Sequence, residues 1–141
     1  MAKPLRITKL TLILIGILTL NSCWNNPSER DLIIGNYYVG WIDMVSNRAI
    51  VYQYDSNSYK VIVPSYIYAV GNNSDFIIAK QHPYSNDLSV TKYFIVDLNK
   101  ELGRDKDAVI GPMNEKEFDK KSIELKISEL EFNKAYEENP Y

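Results

Sequence analysis

The sequence is poor in the residues that most often carry chemistry or cross-link a chain. It contains a single cysteine, Cys23, and a single histidine, His82. One cysteine cannot form an internal disulfide, and a structural zinc site needs several Cys or His ligands. Glycines are few and scattered, and no G-x-G-x-x-G or phosphate-loop motif occurs. These absences argue against a disulfide framework, a metal or other cofactor, and a nucleotide-binding fold.

An excess of basic residues is also missing, since 16 lysines and arginines stand against 18 aspartates and glutamates. Lys3, Arg6 and Lys9 precede Cys23, so 13 basic side chains remain beyond them against all 18 acidic ones. A nucleic-acid partner would require clustered basic side chains that contact phosphates. We therefore expect no nucleic-acid partner.

No apolar run is long enough to span a bilayer, because the longest, Leu10–Leu20, is far shorter than the required ~20 residues. Basic residues precede this run, and the small residue Ser22 follows it directly before Cys23. This three-part order is typical of a secretory signal peptide. We predict a signal peptide over residues 1–22, with cleavage between Ser22 and Cys23.

Leu20-Asn21-Ser22-Cys23 resembles the lipobox of bacterial lipoproteins, although Asn21 departs from the usual small residue there. The resemblance implies acylation of Cys23, a membrane-lipid partner held through that residue, and a location in the cell envelope. An ordinary signal peptide with an incidental cysteine and a retained anchor remain as alternatives. Residues 23–31 are polar and contain Pro27, so they read as a tether. Trp24, not Asp, follows Cys23, so the sequence does not resemble the inner-membrane retention signal of enterobacterial lipoproteins. We therefore favour the outer membrane over the inner one in a host with two.

Residues 32–141 form a single predicted domain rich in strands, since tyrosine, valine and isoleucine favour half-buried pleated surfaces. Predicted strands fall at residues 37–44, 49–54, 59–63, 67–70, 76–81 and 90–98, with polar turns between them. Asn114 and Glu117 predict a capped helix over about residues 114–127, whose Phe118 and Leu125 share one face. The predicted fold class is α+β: a small, mainly antiparallel sheet of about six strands with one C-terminal helix packed on it.

From Tyr93 to Phe118 the pattern is an aromatic strand ending in Asp97, a charged turn, Gly111-Pro112 and a capped helix. This is similar to a family of small uncharacterised bacterial lipoproteins, in which such elements close a small sheet domain. The resemblance implies a sheet domain on a lipid anchor, and it assigns no catalytic residue.

Catalysis finds little support in the sequence. His82 precedes Pro83, and we expect it to be a surface loop residue without a catalytic role. The alternative function is a small envelope hydrolase or ligand-binding enzyme that uses the carboxylates Asp43, Asp87 or Asp97. Asp105 and Asp107 lack the full spacing of a calcium loop, so we predict no metal site.

Aromatic residues offer a candidate binding surface. Trp41, Tyr52, Tyr54, Tyr66 and Tyr68, together with Tyr37, would form a binding surface for protein, peptide or glycan if they shared an exposed face. Tyrosine on the solvent side of a small sheet is also ordinary structure, and that is the favoured interpretation of these residues. The leading hypothesis is a lipid-anchored, non-enzymatic envelope protein that binds another, unidentified envelope protein or component.

Overall fold

A computed structural model describes residues 30–41, 44–84 and 87–137. The predicted signal peptide, with its cleavage position at Ser22 and acylation at Cys23, lies outside these residues. Most of the predicted tether lies outside them as well. Its last two residues, Arg30 and Asp31, belong to the first strand and not to a tether.

The described residues contain nine strands in two antiparallel sheets, together with one α-helix and a short 3₁₀ turn at Val45–Asn47. The predicted α+β class, with antiparallel strands and one C-terminal helix, is confirmed. The predicted single sheet of about six strands is two sheets. The first contains, in spatial order, β1 (Arg30–Ile34), β2 (Tyr37–Gly40), β3 (Ala49–Gln53) and β4 (Tyr59–Val63).

The second sheet has five strands in the order β8-β7-β6-β5-β9. In chain order these are β5 (Ile67–Asn72), β6 (Phe76–Gln81), β7 (Lys92–Asp97), β8 (Val109–Met113) and β9 (Lys134–Ala135). The chain leaves the first sheet at Pro64, which has no N–H for a ladder hydrogen bond. Tyr66 then takes a left-handed conformation with φ of 75°. A sharp change of direction at these residues begins the second sheet.

The five-stranded sheet is the middle of three layers. One of its faces packs on the four-stranded sheet, and the shared core contains Val39 and Ile50 from one sheet and Ile77 and Val96 from the other. Its second face packs on the C-terminal helix through a separate apolar cluster. Fully burying one such aliphatic side chain contributes about 1.5–3 kcal/mol. The two clusters therefore hold the three layers together.

β7 lies between β6 and β8 and is buried on both faces. Phe94 and Val96 belong to the core between the sheets, whereas Tyr93 and Ile95 belong to the cluster beneath the helix. The sequence predicted burial of both faces, because side chains alternate between the two faces of a strand and this strand carries apolar residues on each face.

The helix α1 (Glu115–Glu124) begins with the predicted capping box. The Asn114 side chain accepts the Glu117 N–H at 3.0 Å, and the Glu117 carboxylate accepts the Asn114 N–H at 2.8 Å. The helix ends before the predicted position near residue 127, because Lys126 is left-handed with φ of 59°. Ile127 is nevertheless buried in the cluster beneath the helix.

Polar contacts fasten the C-terminal segment to both sheets. β9 pairs with β5, and the Tyr136 hydroxyl donates to the Asp31 carboxylate in β1 at 2.9 Å. Lys134 forms an ion pair with the same carboxylate. Buried Arg48 donates to the Glu137 carbonyl at 2.8 Å and lies over the Tyr136 ring. The end of the chain thus bridges the two sheets.

Asp31→Asn should lower stability at neutral pH and have little effect in acid. The hydrogen bond from Lys134, followed by the one from Tyr136, holds the pKa of Asp31 below its ordinary value against the opposing effect of burial. A lowered folded-state pKa stabilises the fold above the unfolded pKa, and that contribution is lost as pH falls through the folded pKa. Because both partners are over one-third exposed, we expect less than about 1 kcal/mol at pH 7.

Urea unfolding of Asp31→Asn and the unsubstituted protein at pH 7 and at about pH 2 would measure this difference. Glu101→Gln is a matched control, because the Glu101 carboxylate pairs with Arg104 on an exposed surface. A difference for Asp31→Asn that persists unchanged in acid would contradict the assignment.

Candidate functional site

Three tyrosines pack together at one end of the four-stranded sheet. Tyr37 in β2 lies directly opposite Tyr52 in β3, and their rings meet edge to face with centroids 4.9 Å apart. Tyr54, two residues beyond Tyr52, contacts its ring in the same manner at 5.0 Å. Edge-to-face aromatic pairs across strands are favourable, at roughly 0.5–1.5 kcal/mol beyond area burial. Tyr52 and Tyr54 of the predicted binding surface therefore do lie together.

These tyrosines form one wall of a cleft of about 530 Å³, which we call the tyrosine cleft. The turn after β1, at Gly35-Asn36, also lines the cleft, as does Ser74 in the turn between β5 and β6. The opposite wall is the segment that follows β7, residues 98–102 except Asn99. This volume lies within the range of about 300–1,000 Å³ that is usual for ligand sites.

Backbone hydrogen bonds position the opposite wall. The Leu98 N–H donates to the Asp75 carbonyl at 2.8 Å, which ties this segment to the turn before β6. Farther along, the Glu101 N–H donates to the Asp105 carboxylate at 2.8 Å. The Lys100 ammonium lies 3.7 Å from the Asp97 carboxylate. One cation and one anion, Lys100 and Glu101, therefore border an aromatic wall.

The tyrosine hydroxyls of the cleft are suited to hydrogen bonding at neutral pH. Burial raises the pKa of Tyr37, and the nearby hydroxyls of Tyr52 and Tyr54 raise it further. Tyr37 is therefore protonated under physiological conditions. Tyr54 is 55% exposed, so a ligand would reach its ring from solvent. The cleft offers ring surface, phenol groups and both signs of charge, which is chemistry for binding.

Trp41 lies elsewhere, on the side of the four-stranded sheet that points away from the five-stranded sheet. A second cavity there, of about 270 Å³, has Gly40, Ala49 and Val51 among its lining residues, together with Trp41 and Tyr59. The strand register places a mainly apolar set on this side, which we call the outer face: Arg30, Leu32, Tyr38, Gly40, Trp41, Ala49, Val51, Gln53, Tyr59 and Val61.

Tyr66 and Tyr68 belong to neither surface, and they lie near His82. The Tyr68 ring stacks on the imidazole with centroids 4.2 Å apart, and its hydroxyl is 2.7 Å from the Thr91 hydroxyl. The Tyr66 carbonyl accepts the His82 N–H. The expectation of a surface-exposed His82 is wrong: this side chain is buried, with Nδ1 2.9 Å from the Val90 carbonyl. The five predicted aromatic residues thus divide among three places.

Two of the three predicted catalytic carboxylates, Asp87 and Asp97, lie within the described residues. Asp43 lies outside the described residues, Asp97 ends β7, and Asp87 precedes the start of that strand. Hydrogen bonds from the Ser89 hydroxyl and N–H lower the pKa of Asp87, which makes it a poor proton donor. The alternative hydrolase stays a prediction.

Metal-binding clusters and membrane-spanning helices are both absent from the part of the chain that the structure describes. No cluster of three or more His, Cys, Asp or Glu residues suited to a metal ion occurs within residues 30–41, 44–84 and 87–137. Asp105, considered for calcium, accepts a backbone N–H within its own turn. Over these same ranges, no helix has the length and apolar character needed to cross a bilayer.

Sequence reasoning missed the second wall of the tyrosine cleft. Lys100 and Glu101 were part of a charged connection, and nothing in its composition indicated that it would face tyrosines more than 40 residues away. The spacing of Tyr52 and Tyr54 in the strand predicted over residues 49–54 was the usable signal, since residues two apart in a strand share a face.

Comparison with known proteins gives one match. A family model described as a protein of unknown function, DUF3997, matches residues 34–136. Neither the curated proteins nor the solved structures yield a match to this chain.

Proposed function

Because this chain belongs to the DUF3997 family, whose function is unknown, we propose a function from its own residues. The protein is a lipoprotein of the bacterial cell envelope, anchored through acylated Cys23 after removal of residues 1–22. Its domain binds another envelope component and catalyses no reaction. In a host with two membranes it resides in the outer one, since Trp24 and not Asp follows the acylated cysteine.

The tyrosine cleft is the observation that carries the binding role. Its wall of Tyr37, Tyr52 and Tyr54 combines apolar surface with hydroxyl groups, and it lies within reach of Lys100 and Glu101. Tyrosine is enriched at the energetic centres of protein interfaces because it supplies large contact area and a polar group together. An exposed ring such as that of Tyr54 is available for such a contact.

The ligand that best fits this cleft is an extended segment of another protein. Aromatic-lined grooves accept extended peptides, whose side chains fill the spaces between rings. The backbone carbonyls of such a segment would accept hydrogen bonds from tyrosine hydroxyls. Lys100 and Glu101, on the wall that faces the tyrosines, would then select for charges at defined positions of the segment.

Tyr54→Ala should weaken capture of the envelope partner at least about tenfold. Removing an anchor residue at an interface commonly costs 2 kcal/mol or more, and each 1.4 kcal/mol is tenfold in affinity. The experiment is pull-down from solubilised envelope with the lipidated protein. The retained component is then titrated against the unsubstituted protein and against Tyr54→Ala.

Tyr84→Ala is the matched control, because Tyr84 is an even more exposed tyrosine outside the cleft. It should leave capture unchanged. Equal retention by Tyr54→Ala and Tyr84→Ala would contradict the role of the cleft, and failure to retain any component across several growth conditions would contradict the binding function.

A further inference from the structure

The two sheets differ in how completely they are covered. The five-stranded sheet has the other sheet on one face and α1 on the opposite one. The outer face of the four-stranded sheet has no covering element among the described residues. Leu32 is 53% exposed there and Val61 is 48% exposed. An apolar surface of this kind on a folded domain usually marks a contact with a partner or a membrane.

The outer face has the residue types of a membrane interface. Tyr38, Trp41 and Tyr59 are amphipathic aromatics, which concentrate at the level of lipid headgroups. Leu32 and Val61 supply aliphatic contacts beside them. The cavity on this face is lined by three residues with small side chains, Gly40, Ala49 and Val51, together with the aromatic residues Trp41 and Tyr59.

Charge on this face is opposite to that of the domain as a whole. Its cavity is lined by one cation, Arg30, and by no carboxylate among the described residues. The Arg30 guanidinium lies over the Tyr59 ring, 5.0 Å from its centroid. A long basic side chain can keep its charge at phosphate level while its stem contacts apolar surface. The acidic remainder of the domain would be repelled from anionic lipid, so the charges favour one orientation.

The position of the proposed anchor brings this face to the bilayer. Arg30 is the first residue of β1, and its side chain is part of the outer face. Arg30 lies seven positions after Cys23, with six residues between them, which gives a reach of at most about 25 Å. A short connection raises the effective concentration of lipid at this face without any new contact.

We propose that the outer face of the four-stranded sheet rests in the interfacial layer of the bilayer that holds the acylated Cys23. The inference depends on the lipid anchoring proposed above. It adds a second, protein-mediated contact that orients the domain on the membrane.

Tryptophan quenching by brominated lipid tests this contact. The chain has two tryptophans, so a Trp24→Phe background leaves Trp41 as the sole reporter. The lipidated full-length mature protein is reconstituted in vesicles of phosphatidylethanolamine and phosphatidylglycerol, with and without brominated acyl chains. Trp41 emission should fall by about half or more in brominated vesicles.

Val61→Glu should remove at least half of that quenching, because a carboxylate would have to enter the lipid interface. Leu32→Glu, at an equally exposed position of the same face, is a second test variant in case one of them folds poorly. Ile123→Glu is the matched control: Ile123 is 68% exposed on α1, which covers the other sheet. Its quenching should equal that of the background.

Vesicle flotation, measured on the same samples, separates the two proposals. Flotation without any Trp41 quenching would overturn the membrane contact and leave the anchor intact. Absence of both would overturn the anchor and the contact together. A dimer that Val61→Glu dissociates, with Trp41 unquenched, would assign the face to a second copy of the chain and overturn the lipid assignment.

Discussion

Cys23→Ser is expected to yield a full-length, unacylated precursor that no longer stays with the membrane through lipid. Serine lacks the thiol that carries the thioether-linked lipid, and the resemblance to a lipobox implies that cleavage follows this modification. Each buried CH₂ of an acyl chain contributes about 0.8 kcal/mol to membrane binding. The acyl-chain contribution to membrane binding should therefore be lost entirely, and only the uncleaved apolar run Leu10–Leu20 would still contact lipid. Intact-mass spectrometry of membrane and soluble fractions would measure both processing and acylation.

Ser22→Ala provides the control for this substitution. Alanine keeps a small residue directly before the cysteine, as signal cleavage requires, so processing and acylation should continue. A Cys23→Ser protein of normal mature size that remains in the membrane would refute the anchor. An unmodified thiol on the native protein would do so as well.

Gly71→Ala is expected to destabilise the domain by about 3 kcal/mol or more. Gly71 is buried in β5, and a Cβ placed on it would overlap the backbone carbonyl of Glu131. Overpacking usually costs about 1–3 kcal/mol, and this contact is with main chain, which cannot rotate away as a side chain does. The segment after α1 would be displaced, together with the Phe132 ring that packs beneath the helix. Urea unfolding would give the free-energy difference.

Gly40→Ala is a close control, because it adds the same methyl group to another buried strand glycine. A Cβ at Gly40 would lie 3.5 Å from the Arg30 and Val51 side chains, an ordinary contact distance. We expect its stability to change by less than about 1 kcal/mol, as for substitutions that create no cavity or clash. Equal unfolding midpoints for the two variants would contradict the close approach of residue 131 to β5.

The sequence predicted elements whose determinants are local. β6 was predicted over residues 76–81 and spans Phe76–Gln81, because an apolar run follows a turn built by Asn73. The start of α1 was equally readable, since Asn114 and Glu117 satisfy each other's backbone N–H groups. The burial of both faces of β7 followed from its composition alone.

Elements that depend on distant partners were not predictable. β9 is two residues long and exists because β5 lies beside it. The local pattern does not define the end of α1, because apolar residues alternate as in a strand at Ile123, Leu125 and Ile127. The left-handed conformation of Lys126 ends the helix. His82 is followed by a turn-forming proline, yet it is buried by stacking against Tyr68.

In the candidate site, too, some features have local determinants and others depend on residues far apart in the chain. Tyr52 and Tyr54 were both placed in the strand predicted over residues 49–54 and in the candidate binding surface. Their contact with Tyr37 depends on which strands pair. The separation of Trp41 from Tyr66 and Tyr68 depends on which side of each sheet is covered. The residues opposite the tyrosines come from a connection with no local sign of a role.

Composition and short-range pattern by themselves determined the α+β class, the capped helix, the central position of β7 and the scarcity of catalytic residue types. These features depend on residue counts, or on hydrogen bonds and side-chain alternation between residues close together in the sequence. They could therefore be predicted without knowledge of the tertiary structure. The division into two sheets, the tyrosine cleft and the uncovered outer face were decided only by the tertiary structure. They arise from contacts between residues far apart in the chain, where small differences in packing select one pairing among several that the local pattern allows.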